Sequence, residues 1–102
     1  MKFETKQGDT RNALKATLAP AQGDLTDVSQ VRFRMADTLF RSIIYRAVDA
    51  WNAPEAIVVF APSEVANDGC YFGEIEVTYT DGKIETFPNT GYIDVRINKN
   101  AR

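Results

Sequence analysis

The longest alternation of apolar and polar positions runs through residues 67–83, NDGCYFGEIEVTYTDGK. Tyr71, Gly73, Ile75, Val77 and Tyr79 share one parity, and Phe72, Glu74, Glu76, Thr78 and Thr80 share the other. Successive side chains of a strand point to opposite faces, so the pattern predicts one mostly apolar and one mostly polar face. Asp81-Gly82 predicts a tight two-residue hairpin turn, with Lys83 starting the return strand.

The same alternation recurs along the chain. Residues 3–6 predict a short first strand ended by Gly8-Asp9. In residues 13–19, Leu14, Ala16 and Leu18 alternate with Lys15 and Thr17 up to Pro20. Ala, Leu and Lys also favour helix, but the segment is short and its alternation strict, so strand is expected. Residues 21–24 read as a turn. Residues 30–36 predict a strand with Val31, Phe33 and Met35 inward and Arg32 and Arg34 outward. Residues 42–49 carry apolar side chains on both parities, which fits a strand covered on both faces or twisting between sheets. Residues 51–54 read as a loop, 55–60 as a strand closed by Pro62, 83–87 as the hairpin return, 88–91 as a turn and 92–98 as the last strand. Seven or eight short strands with turn signals between them, and no long amphipathic helix, predict an antiparallel sandwich or barrel.

A length of 102 residues fits one domain, with residues 1–7 and 99–102 expected to be flexible. The net charge of −2 argues against a general affinity for nucleic acid or an anionic membrane, since both need clustered positive charge. There is no histidine, which removes the commonest general base and zinc ligand, and Cys70 is the single cysteine. The opening MKFETKQGDT carries no secretory apolar region, and no apolar run approaches membrane-spanning length. Synthesis in the cytosol is therefore the expectation.

Candidate chemistry is sparse. Glu74 and Glu76 share a strand face about 7 Å apart, as a carboxylate pair or as the ordinary solvated face of a sheet. Glu64, Asp68 and Asp81 sit at loop ends without a dense calcium-loop pattern. Cys70, lacking a histidine to activate it, is expected as a buried or half-buried structural thiol. Gly73, inside the strand, predicts a bulge or the close approach of another backbone. Arg32, Arg34, Arg41 and Arg46 give the middle of the chain a basic bias, and Phe40, Tyr45 and Trp51 are the aromatic residues that would interleave with it. If their strands are neighbours they form a basic patch with those rings as stacking residues; otherwise they are long side chains on an outer sheet face, or a protein interface, where Arg and aromatics are enriched.

The ordered motifs resemble one family. They are Gly8-Asp9-Thr10, Leu14 with Thr17-Leu18, Gly23 with Leu25-Thr26, and Val31-Arg32-Phe33-Arg34-Met35. Asp68-Gly69-Cys70-Tyr71, Glu74 with Val77-Thr78, Asp81-Gly82 and the run from Thr86 to Tyr92 complete the series. Over roughly residues 8–98 the chain resembles the N-terminal immunoglobulin-like domain of phage baseplate upper proteins and related small phage tail or virion proteins. The pattern departs at Glu55-Ala56, where a glycine turn is expected. An Asp-Gly corner followed by Tyr71 is also similar to the tyrosine corner of immunoglobulin-like sandwiches, in which a buried phenol ties a loop to a strand start. The resemblance implies an immunoglobulin-like antiparallel sandwich of seven or eight strands without catalytic residues, cofactor or metal. It implies a phage or prophage virion component, made in the bacterial host cytoplasm, that contacts other virion or tail proteins and itself. The candidate contact residues are Arg32, Arg34, Phe40, Arg41, Tyr45 and Trp51. A carbohydrate-binding or host-adhesion module, offering the rings of Trp51, Tyr71 and Tyr92, is the alternative. An enzyme built on Glu74 and Glu76 comes third.

Overall fold

The computed structural model describes residues 1–101. Among them run β1 (Lys2–Lys6), β2 (Ala13–Thr17), β3 (Val28–Asp37), β4 (Ser42–Ala47), β5 (Ala50–Asn52), β6 (Glu55–Val59), β7 (Gly69–Tyr79), β8 (Ile84–Phe87) and β9 (Ile93–Asn98). One 3-10 turn (Pro62–Val65) stands between β6 and β7. The chain is all-β. Its strands form a six-stranded sheet in the order β1-β9-β7-β3-β4, with β8 also on β7, and a three-stranded sheet in the order β2-β6-β5.

β7 is the axis of the large sheet. It pairs antiparallel with β3 along nearly its whole length. Its other side is shared, with Gly69 to Gly73 facing β9 and Ile75 to Thr78 facing β8. The apolar parity read from the sequence is the inward one. Tyr71, Ile75 and Val77 are buried there with Phe33 and Met35 of β3. From the small sheet, Leu14, Ala16, Ala56 and Val58 close over them to form one core. Burying each large side chain of this kind contributes about 1.5–3 kcal/mol. Phe60, just past β6, stacks on Phe3 at 5.5 Å and meets Phe33 edge-on at 5.7 Å, which ties β1 to the centre. β2 forms as a strand, not a helix, because only a period of two buries Leu14 and Ala16 while leaving Lys15 and Thr17 in water.

The tyrosine corner forms as expected. The Tyr71 hydroxyl donates to the Asn67 carbonyl at 2.9 Å, and Gly69 takes φ of 145° beneath the ring. Several other expectations are corrected. The sheet arrangement is mixed, because β1 runs parallel to β9. Residues 51–54 are not all loop, since Ala50–Asn52 forms a short strand on β6, with Trp51 opposite the fully buried Ala56. It is the extra element beyond the eight expected. The β7–β8 hairpin has a three-residue loop, residues 80–82. The Tyr79 N–H donates to the Lys83 carbonyl, and Gly82 alone takes positive φ, at 88°. A type I turn closed by a left-handed glycine is the usual solution at that loop length. Gly73 is neither a bulge nor a backbone crossing. The ladder passes through it unbroken, and a Cβ there would meet Val95 Cγ2 at 3.2 Å and Phe33 Cε1 at 3.3 Å. Cys70 is exposed on the outward parity, opposite Arg96 of β9, and is not a buried thiol.

Candidate functional site

The outer face of the large sheet is covered by no other element among the described residues. β3 and β7 project Arg32, Arg34, Glu74 and Glu76 from it, because their alternate positions are spent on the core. Tyr45 of β4 lies opposite Arg34. The Arg34 guanidinium sits 4.6 Å from the centre of the Tyr45 ring, and that of Arg32 sits 5.3 Å away. Arg32 Nη1 donates to the Tyr45 hydroxyl at 3.2 Å. The Tyr45 hydroxyl in turn donates to Glu76 Oε1 at 2.7 Å, while Arg34 Nη2 donates to Glu76 Oε2 at 3.1 Å. Four side chains from three strands thus hold one another in place. Little rotamer freedom remains to be lost when such a surface is covered.

A second cluster continues this face toward the β3–β4 turn. Phe40 stacks on Phe72 at 5.2 Å, Phe72 lies 4.9 Å from Tyr92, and Phe40 lies 6.0 Å from Tyr92. Phe40 nonetheless remains 63% exposed, and Leu39 beside it 70%. Phe40 takes φ of 59°, a conformation rare for a large non-glycine residue. Asp37 organises the turn that holds it. Its Oδ1 accepts from the N–H groups of Leu39 and Arg41, its Oδ2 accepts from Arg41 Nε, and its carbonyl accepts from the Phe40 N–H. The Arg41 N–H and guanidinium hold the Asp37 carboxyl below its ordinary value. A left-handed phenylalanine in an exposed turn is a local cost that the surrounding bonds impose.

The six candidate contact residues therefore divide. Arg32, Arg34 and Tyr45 interlock on the outer face. Phe40 and Arg41 stand in the adjoining turn, Arg41 paired with Asp37 at 2.7 Å. Trp51 belongs elsewhere: it packs on the core from the small sheet, beside a shallow cleft lined by Val28, Arg32 and Ala50. Arg46 is also absent from the patch, on the inward parity of β4. Nε and Nη2 reach the two Glu64 oxygens at 2.8 and 3.0 Å. Nη1 bonds the Ala47 carbonyl and Asp49 Oδ2, and Nη2 also bonds the Val59 carbonyl. All five of its N–H donors are spent on joining the two sheets.

Phe72 joins the face without having been singled out from the sequence. Phe72 was legible in one respect, as the one aromatic on the polar parity of the central strand. The rings considered for sugar binding do not share a surface. Tyr71 is buried in its corner, Trp51 packs on the core, and Tyr92 belongs to the outer stack. Glu76 is engaged by Arg34 and Tyr45. Among the described residues no group of three or more Cys, Asp or Glu is placed to hold a metal ion. No family model, curated protein or solved structure matches the chain.

Proposed function

We propose that this chain is a non-enzymatic, immunoglobulin-like contact module of a phage or prophage virion, docking on other virion proteins through the outer face of its large sheet. The observation that carries the reading is the placing of the Phe40–Phe72–Tyr92 cluster and the Arg32–Tyr45–Arg34–Glu76 lattice on the same outer sheet face, covered by no other element among the described residues. Aromatic and arginine anchors dominate the energetics of protein interfaces, and aromatic surface this exposed is uncommon without a partner.

The strand order supports the immunoglobulin-like part. In that fold one sheet carries strands B, E and D, and the other carries G, F, C and C′. β2-β6-β5 and β9-β7-β3-β4 follow the same sequence of neighbours. The Tyr71 corner lies at the start of β7, which takes the place of strand F. The virion part rests on the resemblance of the ordered motifs across residues 8–98.

Mass spectrometry of purified particles from the source strain tests both parts together, with copy number measured against the major capsid protein. A fixed ratio is expected for the wild-type chain. A Phe40→Ser, Phe72→Ser double variant that keeps its fold is expected to be lost from particles. Absence of the wild-type chain from particles while it is abundant in the lysate refutes the virion role. Retention of the double variant at full ratio refutes the face.

A further inference from the structure

Sheets end at strands whose outer backbone groups have no ladder to join. In this fold the edge strands differ in how they are protected. β1 lines its edge with exposed Lys2, Glu4 and Lys6. β4 has Arg46 reaching across beside it to the Val59 carbonyl. β5 is only three residues long, and β8, which pairs with β7 alone, only four, with Glu85 engaged by Ala21, Tyr79 and Asn89. Among the described residues β2 has neither a ladder partner on its outer side nor a row of charges: it is Ala13, Leu14, Lys15, Ala16 and Thr17, and it stands at the end of its sheet.

The pattern of bonds shows which groups are open. The Leu18 N–H donates to the Pro54 carbonyl at 2.8 Å. Leu14 faces Val58 and Ala16 faces Ala56 in the same register. Antiparallel pairing alternates, so Leu14 and Ala16 direct their N–H and C=O groups to β6, and Ala13, Lys15 and Thr17 direct theirs to the open side. A groove of about 190 Å³ adjoins the Ala16–Thr17 end of that edge. Ala16, Thr17 and Leu18 line it from the small-sheet side, and Phe87, Pro88, Ile93 and Met1 from the other. A strand laid along β2 would meet the open backbone groups, and its inward side chain beside Ala16 would enter this apolar groove.

We infer that the β2 edge is a strand-addition site for an extended segment of a partner protein, with apolar residues on the groove-facing parity and an acidic residue opposite Lys15. Lys15 is the single charge on β2 and is exposed, so it selects the sign of its cross-strand neighbour. It also argues against a second copy of this chain as the occupant. The antiparallel register that uses all three outward residues of both copies sets Lys15 directly opposite Lys15, a like-charge pair. This site lies apart from the outer face, and its occupancy does not depend on that face.

Hydrogen exchange followed by NMR on the intact chain tests the inference, with two pools of heptapeptides as probes. Both pools alternate Val or Ile with Thr; one has Glu at the centre and the other Lys. In the free protein the Lys15 and Thr17 amides are expected to exchange fast and the Leu14 and Ala16 amides slowly. The Glu pool is expected to protect Lys15 and Thr17, and the Lys pool to do so more weakly. Lys15→Glu should reverse the preference by about three- to fivefold. Thr17→Pro removes one outward N–H at a position where an edge strand tolerates proline, and it should abolish binding with the melting temperature little changed. If Thr17→Pro fails to fold, the Lys15→Glu reversal decides. Absence of protection at Lys15 and Thr17 with both pools overturns the site. Concentration-dependent dimerisation of the free protein that protects the same two amides overturns the choice of occupant. Phe40→Ser, Phe72→Ser should leave peptide binding unchanged.

Discussion

Replacing Arg46 by methionine keeps most of the aliphatic stem and removes the guanidinium, so it isolates the polar bridge between the sheets. Five hydrogen bonds disappear, two of them to Glu64 and one to Asp49. Neither carboxylate is stranded completely. Glu64 Oε1 keeps the Ala61 N–H at 2.7 Å, and Asp49 Oδ2 keeps the Val59 N–H at 2.6 Å. Breaking one side of a fully buried charge pair costs about 3–5 kcal/mol. Here the side chains of Arg46 and Glu64 retain 30% and 16% of their exposure, so water screens part of that loss. The expected cost is about 2–3 kcal/mol, which for a domain of this size lowers Tm by roughly 10–20 °C. The pH dependence sharpens the test. The Arg46 guanidinium holds the Glu64 carboxyl below its ordinary 4.5 in the folded chain. That contribution is fully present above 4.5, and it is lost as pH falls through the lower folded value. Urea denaturation of both proteins across this range should therefore show the gap at neutral pH narrowing as Glu64 protonates. A gap below about 0.5 kcal/mol at neutral pH, within the range of an ordinary surface substitution, refutes the bridge. A gap that persists undiminished in acid refutes its electrostatic origin.

Other perturbations separate the parts of the fold. Tyr71→Phe removes the hydroxyl that serves the Asn67 carbonyl and should cost about 1 kcal/mol in urea denaturation with the near-UV spectrum preserved. Gly73→Ala places a methyl group against Val95 and Phe33, both buried, and should cost about 1–3 kcal/mol; a neutral result would mean that those side chains shift freely. Arg34→Met breaks an ion pair on an open face and should change stability by about 1 kcal/mol or less, in contrast to Arg46→Met. Trp51→Ala should lower Tm while leaving outer-face contacts intact, because the ring packs on the core.

The strands were legible wherever one face meets the core and the other meets water. β3 and β7 show it best: Phe33, Met35, Ile75 and Val77 on one parity reported burial directly. Local pattern fails where a residue's neighbours come from distant parts of the chain. Arg46 reads as another basic surface residue, because nothing nearby in sequence announces that Glu64 and the Val59 carbonyl will surround it. Phe40 follows an Asp-Thr turn signal, yet only the returning β7 and the loop before β9 supply the rings it stacks on. Trp51 looked like a loop aromatic because three residues of strand are too few to show a period. Of the candidate face, the Arg32, Arg34 and Tyr45 lattice was visible as outward parity. Of its aromatic half only Phe40 was singled out for contact, since the cluster is assembled from a turn, a strand and the loop before β9.

The pairing of β1 with β9 has a consequence for how the molecule is made. Among the described residues Lys2 to Lys6 find their only ladder partner in Asp94 to Asn98. A ribosome therefore delivers the first strand roughly 90 residues before the strand that receives it, about 5–20 s at ordinary elongation rates. Once Phe60 has emerged Phe3 can settle on it, but the backbone of β1 stays unzipped until β9 follows. The alternation of Lys2, Glu4 and Lys6 makes this waiting strand a poor template for the hydrophobic strands emerging behind it. Closure of the large sheet waits on β9, so nascent chains stalled before Asn98 should expose β1 to protease.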